Sequence, residues 1–218
     1  MLDAQLPIHS FTGVTALGVL PSGRPVWPVI GGSDGDGDGG DGDGGDGGGA
    51  VSPRVVVIGG GVGGLAAATA AAFRQSWRER APRLVVVEPD RAPCLFESNR
   101  QGRLTTVEIG AETIMAGLSC GEPSPLAWEI LRSEASDFVI IGDSLVPPAM
   151  RRLARPLDND PVIEAGESAV AGLAALTEAA ASADLRAALG LSADSRILLI
   201  GSEGVTDPAI FAEIMAHE

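Results

Sequence analysis

The chain has 218 residues, 45% of them apolar, and a formal charge of −14. All 15 basic residues are Arg, so Lys is absent, as is Tyr, and the two His stand at the edges, His9 and His217. A Ser-His-Asp or Cys-His nucleophile pair, a His-bearing zinc site and a Lys Schiff base all need residue types missing where a folded middle would use them.

Residues 5–30 hold four Pro and scattered apolar residues, with a turn signal at Pro21-Ser22-Gly23. Residues 31–49 are twelve Gly, six Asp and one Ser. Such a stretch has nothing to bury and a large ordering entropy, which predicts a disordered linker over 31–50 behind a leader of unknown role over 1–30. Its Asp-Gly repeats lack the apolar position or closing Glu of a calcium loop, so no metal site is predicted.

Residues 51–218 are patterned as one α/β domain. Strands are predicted at 54–58, 83–88, 104–108, 138–141 and 196–201, and helices at 63–80, 92–101, 125–135, 147–155, 167–181, 184–190 and 208–216. Ser124-Pro125 and Asp207-Pro208 each place a capping side chain before a Pro at the first helical position. Continuous apolar strands alternating with helices indicate a mainly parallel sheet, partial and doubly wound, with helices on both faces. Val55 to Phe73 carries no charge and is long enough to span a bilayer, but its five Gly cluster at 59–64 between a β-branched run and an Ala run. That order reads as strand, turn and buried helix.

The turn is the most informative segment. In Gly59-Gly60-Gly61-Val62-Gly63-Gly64, backbone N–H groups freed of neighbouring Cβ atoms can converge on an anion, and the following helix adds its positive end. A phosphate site follows. Gly59, Gly61 and Gly64 also satisfy G-x-G-x-x-G, with Glu88 ending the second strand, so a flavin- or nicotinamide-dependent oxidoreductase is one reading. Against it, Glu88 lies 29 residues after Gly59, where about 20 is usual. A tight turn with no ligand is another reading.

The residues downstream carry a specific resemblance. Val87-Glu88-Pro89-Asp90, the block Thr113-Ile114-Met115-Ala116-Gly117-Leu118-Ser119-Cys120-Gly121-Glu122-Pro123 running on through Pro125-Leu126-Ala127-Trp128-Glu129-Ile130-Leu131, Gly166-Glu167-Ser168, and Ser202-Glu203-Gly204 occur in order between about residues 54 and 216. Together they resemble the C-terminal half of the diaminopropionate ammonia-lyase family, which is similar to the tryptophan-synthase-like, fold type II pyridoxal-phosphate enzymes. The resemblance implies pyridoxal 5'-phosphate as cofactor and elimination of ammonia from 2,3-diaminopropionate to give pyruvate, with the ring as electron sink. It implies that Gly60, Gly61, Val62, Gly63 and Gly64 hold the cofactor phosphate and that Ser202 bonds the pyridine nitrogen; a loop Ser capping the last helix is the alternative for Ser202. It further implies that Gly121, Glu122, Pro123, Glu167 and Ser168 line the substrate pocket. Two positions depart from the family pattern: Ala169 stands where a third small Gly is usual, and Gly201 where a hydroxyl is usual.

The family's Schiff-base Lys belongs to its N-terminal half, whereas here the leader and the Asp-Gly linker precede the resemblance. The expectation is a truncated or fused remnant, inactive alone, with an apolar sheet edge that favours a homodimer or a complementing chain. A non-catalytic interaction or structural protein is the remaining alternative. The acidic balance argues against nucleic acid and anionic membranes as partners. Two Cys and no secretory opening segment suggest a reducing cytoplasm. Cys94 and Cys120 read as two buried thiols or as a facing pair.

Overall fold

A computed structural model of the chain describes residues 53–157 and 160–217. The leader and linker expected over residues 1–50 lie outside these described residues. Four strands form one sheet: β1 (Val55–Gly59), β2 (Arg83–Pro89), β3 (Asp137–Ile141) and β4 (Ile197–Ile200), in the order β3-β2-β1-β4. Every pairing is parallel, with Val55 opposite Arg83 and Ile197, and Val85 opposite Asp137.

The strands are β-branched runs buried on both faces, and their side-chain alternation divides the core in two. Val56, Ile58, Leu84 and Val86 face one layer, where they meet Ala66, Ala67 and Ala70 of α1 (Gly64–Trp77), Cys94 and Leu95 of α2 (Cys94–Gln101), and Ala127, Trp128 and Leu131 of α3 (Pro125–Glu134). Val55, Val57, Val85 and Val87 face the other, against α4 (Val146–Ala154), α5 (Ala171–Ala181) and α7 (Pro208–Ala216). The short α6 (Ala183–Leu189) follows α5 directly. The expected parallel α/β sheet covered on both faces is therefore present. Val55 to Phe73 forms β1, the glycine turn and part of α1, and no helix among the described residues is long and apolar enough to cross a membrane.

Both predicted caps form. Ser124 accepts from the Ala127 N–H at 3.4 Å, and Asp207 accepts from the Ala209 and Ile210 N–H groups at 2.9 and 3.1 Å. Two predicted elements differ. Residues 104–108 form no strand: β3 occupies the edge of β2, and the segment is tied to loop and helix partners, Val107 N–H donating to Gly121 O at 2.8 Å and Thr105 N–H to Ser98 Oγ at 2.9 Å. The helix predicted from 167 begins at Ala171, because residues 167–170 form a turn in which Ser168 bonds to Gly117 and Glu203 of neighbouring loops.

Candidate functional site

Parallel strands deliver their following loops to one edge of the sheet, so the loops after β1, β2 and β4 gather at a common rim. The loop after β1 is the glycine turn. Gly61 (φ 56°) and Gly63 (φ 94°) are left-handed, where a side chain is strained. Crowding forbids a Cβ at Gly60, which would lie 2.7 Å from Glu88 Cγ, while one at Gly63 would lie 3.0 Å from Ala127 Cβ.

The amides of this turn divide by role. Gly60 N–H donates to Val87 O at 2.8 Å and Gly63 N–H to Gly60 O at 2.9 Å, so these two glycines shape the turn rather than present donors. Val62 N–H points at the Cys120 thiol. The N–H groups of Gly61, Gly64 and Leu65 are left without a backbone acceptor at the start of α1, whose first turn holds no acidic residue. Free donors, a helix N-terminus and glycines that cannot be enlarged suit a phosphate group.

Glu88 closes the cradle from behind. It is fully buried and accepts from the N–H groups of Leu95 (3.0 Å) and Phe96 (2.7 Å), capping the start of α2. Burial raises its carboxyl to about 7, against the pull of these two bonds. A ribose hydroxyl cannot reach a carboxylate sealed in this way. Gly64, the third glycine of the dinucleotide pattern, has open space where its Cβ would be, so it makes no close helix–strand approach. Both observations remove support from the dinucleotide reading.

The two thiols flank Gly61. Cys94 Sγ donates to Gly61 O at 3.5 Å, and Cys120 Sγ lies 3.8 Å from where a Gly61 Cβ would be; both are free thiols. Burial, with the Glu88 carboxylate beside it, pushes the Cys94 thiol far above the ordinary range, and burial also raises Cys120. Neither is a ready nucleophile at neutral pH.

Three further loops complete the rim. The turn at Ala116–Leu118 touches the cradle, with Gly117 O 3.3 Å from where a Gly61 Cβ would be. Its Gly117 N–H donates to Ser168 Oγ at 2.9 Å, and Ser168 N–H in turn donates to Glu203 Oε2 at 2.8 Å. Gly166 N–H donates to Glu203 O at 3.1 Å, and a Cβ at Gly166 would lie 2.4 Å from Gly204 O. The structure thus joins Glu167 and Ser168, both buried, to the loop bearing Ser202, which is exposed just past the end of β4. Gly121 packs against Val107 O, Pro123 is buried and Glu122 is exposed, on the stretch joining the 116–118 turn to α3.

The two departures from the family pattern touch one another. A Cβ at Gly201 would meet Ala169 O at 2.9 Å and Ala169 Cβ at 3.3 Å, so the methyl at 169 and the missing side chain at 201 compensate. Sequence reasoning had no signal for Glu203, whose role as a clasp depends on a contact spanning 35 positions.

A parallel α/β sheet with an anion cradle after its first described strand, walled by loops from the same edge, defines a phosphate-cofactor class of domain. The family profile described as pyridoxal-phosphate dependent enzyme matches residues 47–203, and the chain belongs to that family. It is 37% identical over 168 residues to the diaminopropionate ammonia-lyase of Escherichia coli K12, covering 76% of this chain and 42% of the relative. The diaminopropionate ammonia-lyase of Salmonella typhimurium is 36% identical over 170 residues, covering 75% and 42%. The crystal structure of the Escherichia coli enzyme in complex with an aminoacrylate-PLP azomethine reaction intermediate superposes with a TM-score of 0.68 at 36% identity, covering 76% of this chain and 42% of that one. The chain therefore spans less than half the length of these relatives.

Proposed function

We propose that residues 51–218 form a domain that holds the pyridoxal 5'-phosphate of a carbon–nitrogen lyase acting on 2,3-diaminopropionate, releasing ammonia and yielding pyruvate. The observation that carries this is the turn at 59–65, whose free N–H groups and left-handed glycines provide a phosphate seat at a helix N-terminus. When bound, the cofactor supplies an electron sink for the carbon that loses its proton.

In this reading Gly61, Gly64 and Leu65 donate to the phosphate, while Gly60, Val62 and Gly63 hold the turn's shape. Ser202 would bond the pyridine nitrogen, a neutral hydroxyl that places no full charge beside it. Glu167, Ser168, Gly121, Glu122 and Pro123 would line the substrate pocket. Glu203, through Ser168 and Gly166, positions the loop that carries Glu167.

None of the 218 residues is Lys, so no side-chain amine among them can bind the cofactor covalently or shuttle the substrate proton. Arg does not serve, since it stays protonated. These residues by themselves bind the cofactor reversibly and do not turn substrate over; a Lys-bearing segment, for instance on a complementing chain, would be needed. A second copy in a homodimer would bring none. A cytoplasmic location accompanies this reading.

The test is a titration of the 218-residue chain with pyridoxal 5'-phosphate, followed by dialysis and borohydride reduction. The cofactor is expected to raise the melting temperature, to dialyse away and to leave no adduct except at the α-amino group, and Gly61→Asp is expected to abolish the shift. Absence of any shift in the unmodified chain would overturn the proposal.

A further inference from the structure

The glycine turn and its neighbouring loops occupy the edge where the strands end, and the opposite edge, where the strands begin, is rich in Arg. Arg54, Arg83 and Arg196 stand at or just before the starts of β1, β2 and β4, tied by Arg54 N–H to Arg196 O and Arg83 N–H to Arg54 O, both at 2.9 Å. The C-terminal end of α1 brings Arg74, Arg78 and Arg80 to the same edge. Arg74 and Arg83 border one cavity of about 360 Å³ together with Ala81 and Pro82, and Arg74 Nη1 donates to Arg78 O at 2.9 Å. Two of these six are neutralised, Arg74 by Glu134 at 2.7 Å and Arg83 by Asp137 at 2.7 Å. Arg54, Arg78 and Arg80 are exposed and make no ion pair among the described residues. Glu79 and Asp194 are the remaining carboxylates on these segments. Residues 51–218 carry 14 Arg against 22 Asp and Glu, so a basic edge is an exception on this molecule and attracts anions.

The chain supplies an anion of its own. The described residues begin at Pro53, beside Arg54, and residues 31–49 ahead of them hold Asp34, Asp36, Asp38, Asp41, Asp43 and Asp46 with no basic residue. Asp46 lies eight residues before Arg54 and Asp34 twenty. Gly-rich chains of these lengths span about 16 and 25 Å on average, against about 4.8 Å between neighbouring strands, so all six carboxylates reach the arginines. A tether of this kind holds them at an effective concentration of about 1 mM, which a separate polyanion at micromolar levels does not match. Each exposed pair alone is weak. Six carboxylates exchanging among several guanidinium groups add up without a fixed fold, and the Gly residues between them leave that exchange free.

We infer that residues 31–49 dock by charge on the arginine edge of the same chain, an in-chain polyanion that closes this surface to other acidic partners. The contact lies at the far end of the sheet from the cradle and is independent of the cofactor reading.

The test compares the 218-residue chain with a variant carrying Asp34→Asn, Asp36→Asn, Asp38→Asn, Asp41→Asn, Asp43→Asn and Asp46→Asn. In about 20 mM NaCl the amide NMR signals of residues 53–55, 74–83 and 194–197 are expected to differ between the two chains, and the difference to fade in about 0.5 M NaCl, where charges are screened. Fluorescein-labelled polyglutamate, followed by anisotropy, is expected to bind the variant about tenfold tighter or more than the unmodified chain. That gain is expected to vanish when Arg54→Gln, Arg78→Gln and Arg80→Gln are added. Superposable signals at this edge, or equal affinity for polyglutamate, would overturn the inference. So would a gain that survives loss of the three Arg, since net charge alone would then account for it. Amide differences that grow with protein concentration would assign the contact to a second copy and overturn docking within the chain.

Discussion

Glu88 is the penultimate residue of β2, and its buried carboxylate caps α2 while its side chain blocks any Cβ at Gly60. Its carboxyl is raised from 4.5 to about 7 by burial. Because the folded value lies above the unfolded one, the stability linked to the protonated form is complete below pH 4.5 and is lost as pH rises through about 7. A shift of this size corresponds to about 3 kcal/mol at most. Urea unfolding at pH 5 and pH 8 is expected to show the chain less stable at the higher pH by about 2–3 kcal/mol, with the difference largely absent in Glu88→Gln. An identical pH difference in the variant would refute this assignment. Glu88 was legible in the sequence as an acidic residue ending a strand, a feature that also suited a ribose ligand. Only its bonds to Leu95 and Phe96 show that its role is structural.

At the scale of elements, the rim is made by loops that interlock in pairs. The loop after β4 and the turn before α5 meet at Gly201 and Ala169, and at Glu203 and Ser168. Gly201→Ser is expected to destabilise the chain by about 1–3 kcal/mol through overpacking, and Ala169→Gly in the same chain to recover part of that loss. A double-mutant cycle read by urea unfolding is the check, and a coupling energy within about 0.3 kcal/mol of zero would show that the two loops do not compensate. Strands β1, β2, β3 and β4 and the caps at Ser124 and Asp207 were legible, since β-branched runs and cap-Pro pairs are local signals. The stretch 104–108 carried the same β-branched signal and yet forms no strand, because its backbone N–H groups are taken by partners outside the sheet, Thr105 by Ser98 Oγ and Val107 by Gly121 O. α5 starts later than the pattern predicts for a similar reason: distant loops claim the N–H and hydroxyl of Ser168, which could otherwise begin the helix.

Across the whole molecule, the sheet ends on β3 at one side and β4 at the other, each paired along one edge among the described residues. Ile140 on β3 is 42% exposed, and Val62, Leu65 and Leu126 are exposed at the N-terminal ends of α1 and α3 beside the cradle. An unpaired parallel edge bearing an exposed Ile favours self-association. Light scattering across a concentration series is expected to show mass rising with concentration, and Ile140→Lys to reduce that rise; a monomer at every concentration would contradict it.

Sequence alone determined the parallel α/β class, the glycine turn and the absence of any Lys, because composition, periodicity and runs of Gly are properties of the chain read locally. It also carried the family, through motifs spread in order over residues 54–216. Tertiary structure decided which turn amides are free, that Glu88 is spent on α2, that Ala169 and Gly201 share one space and that Glu203 clasps Ser168. Each of these depends on contacts between segments distant in sequence, where packing and the competition for hydrogen-bond partners settle what a residue can do.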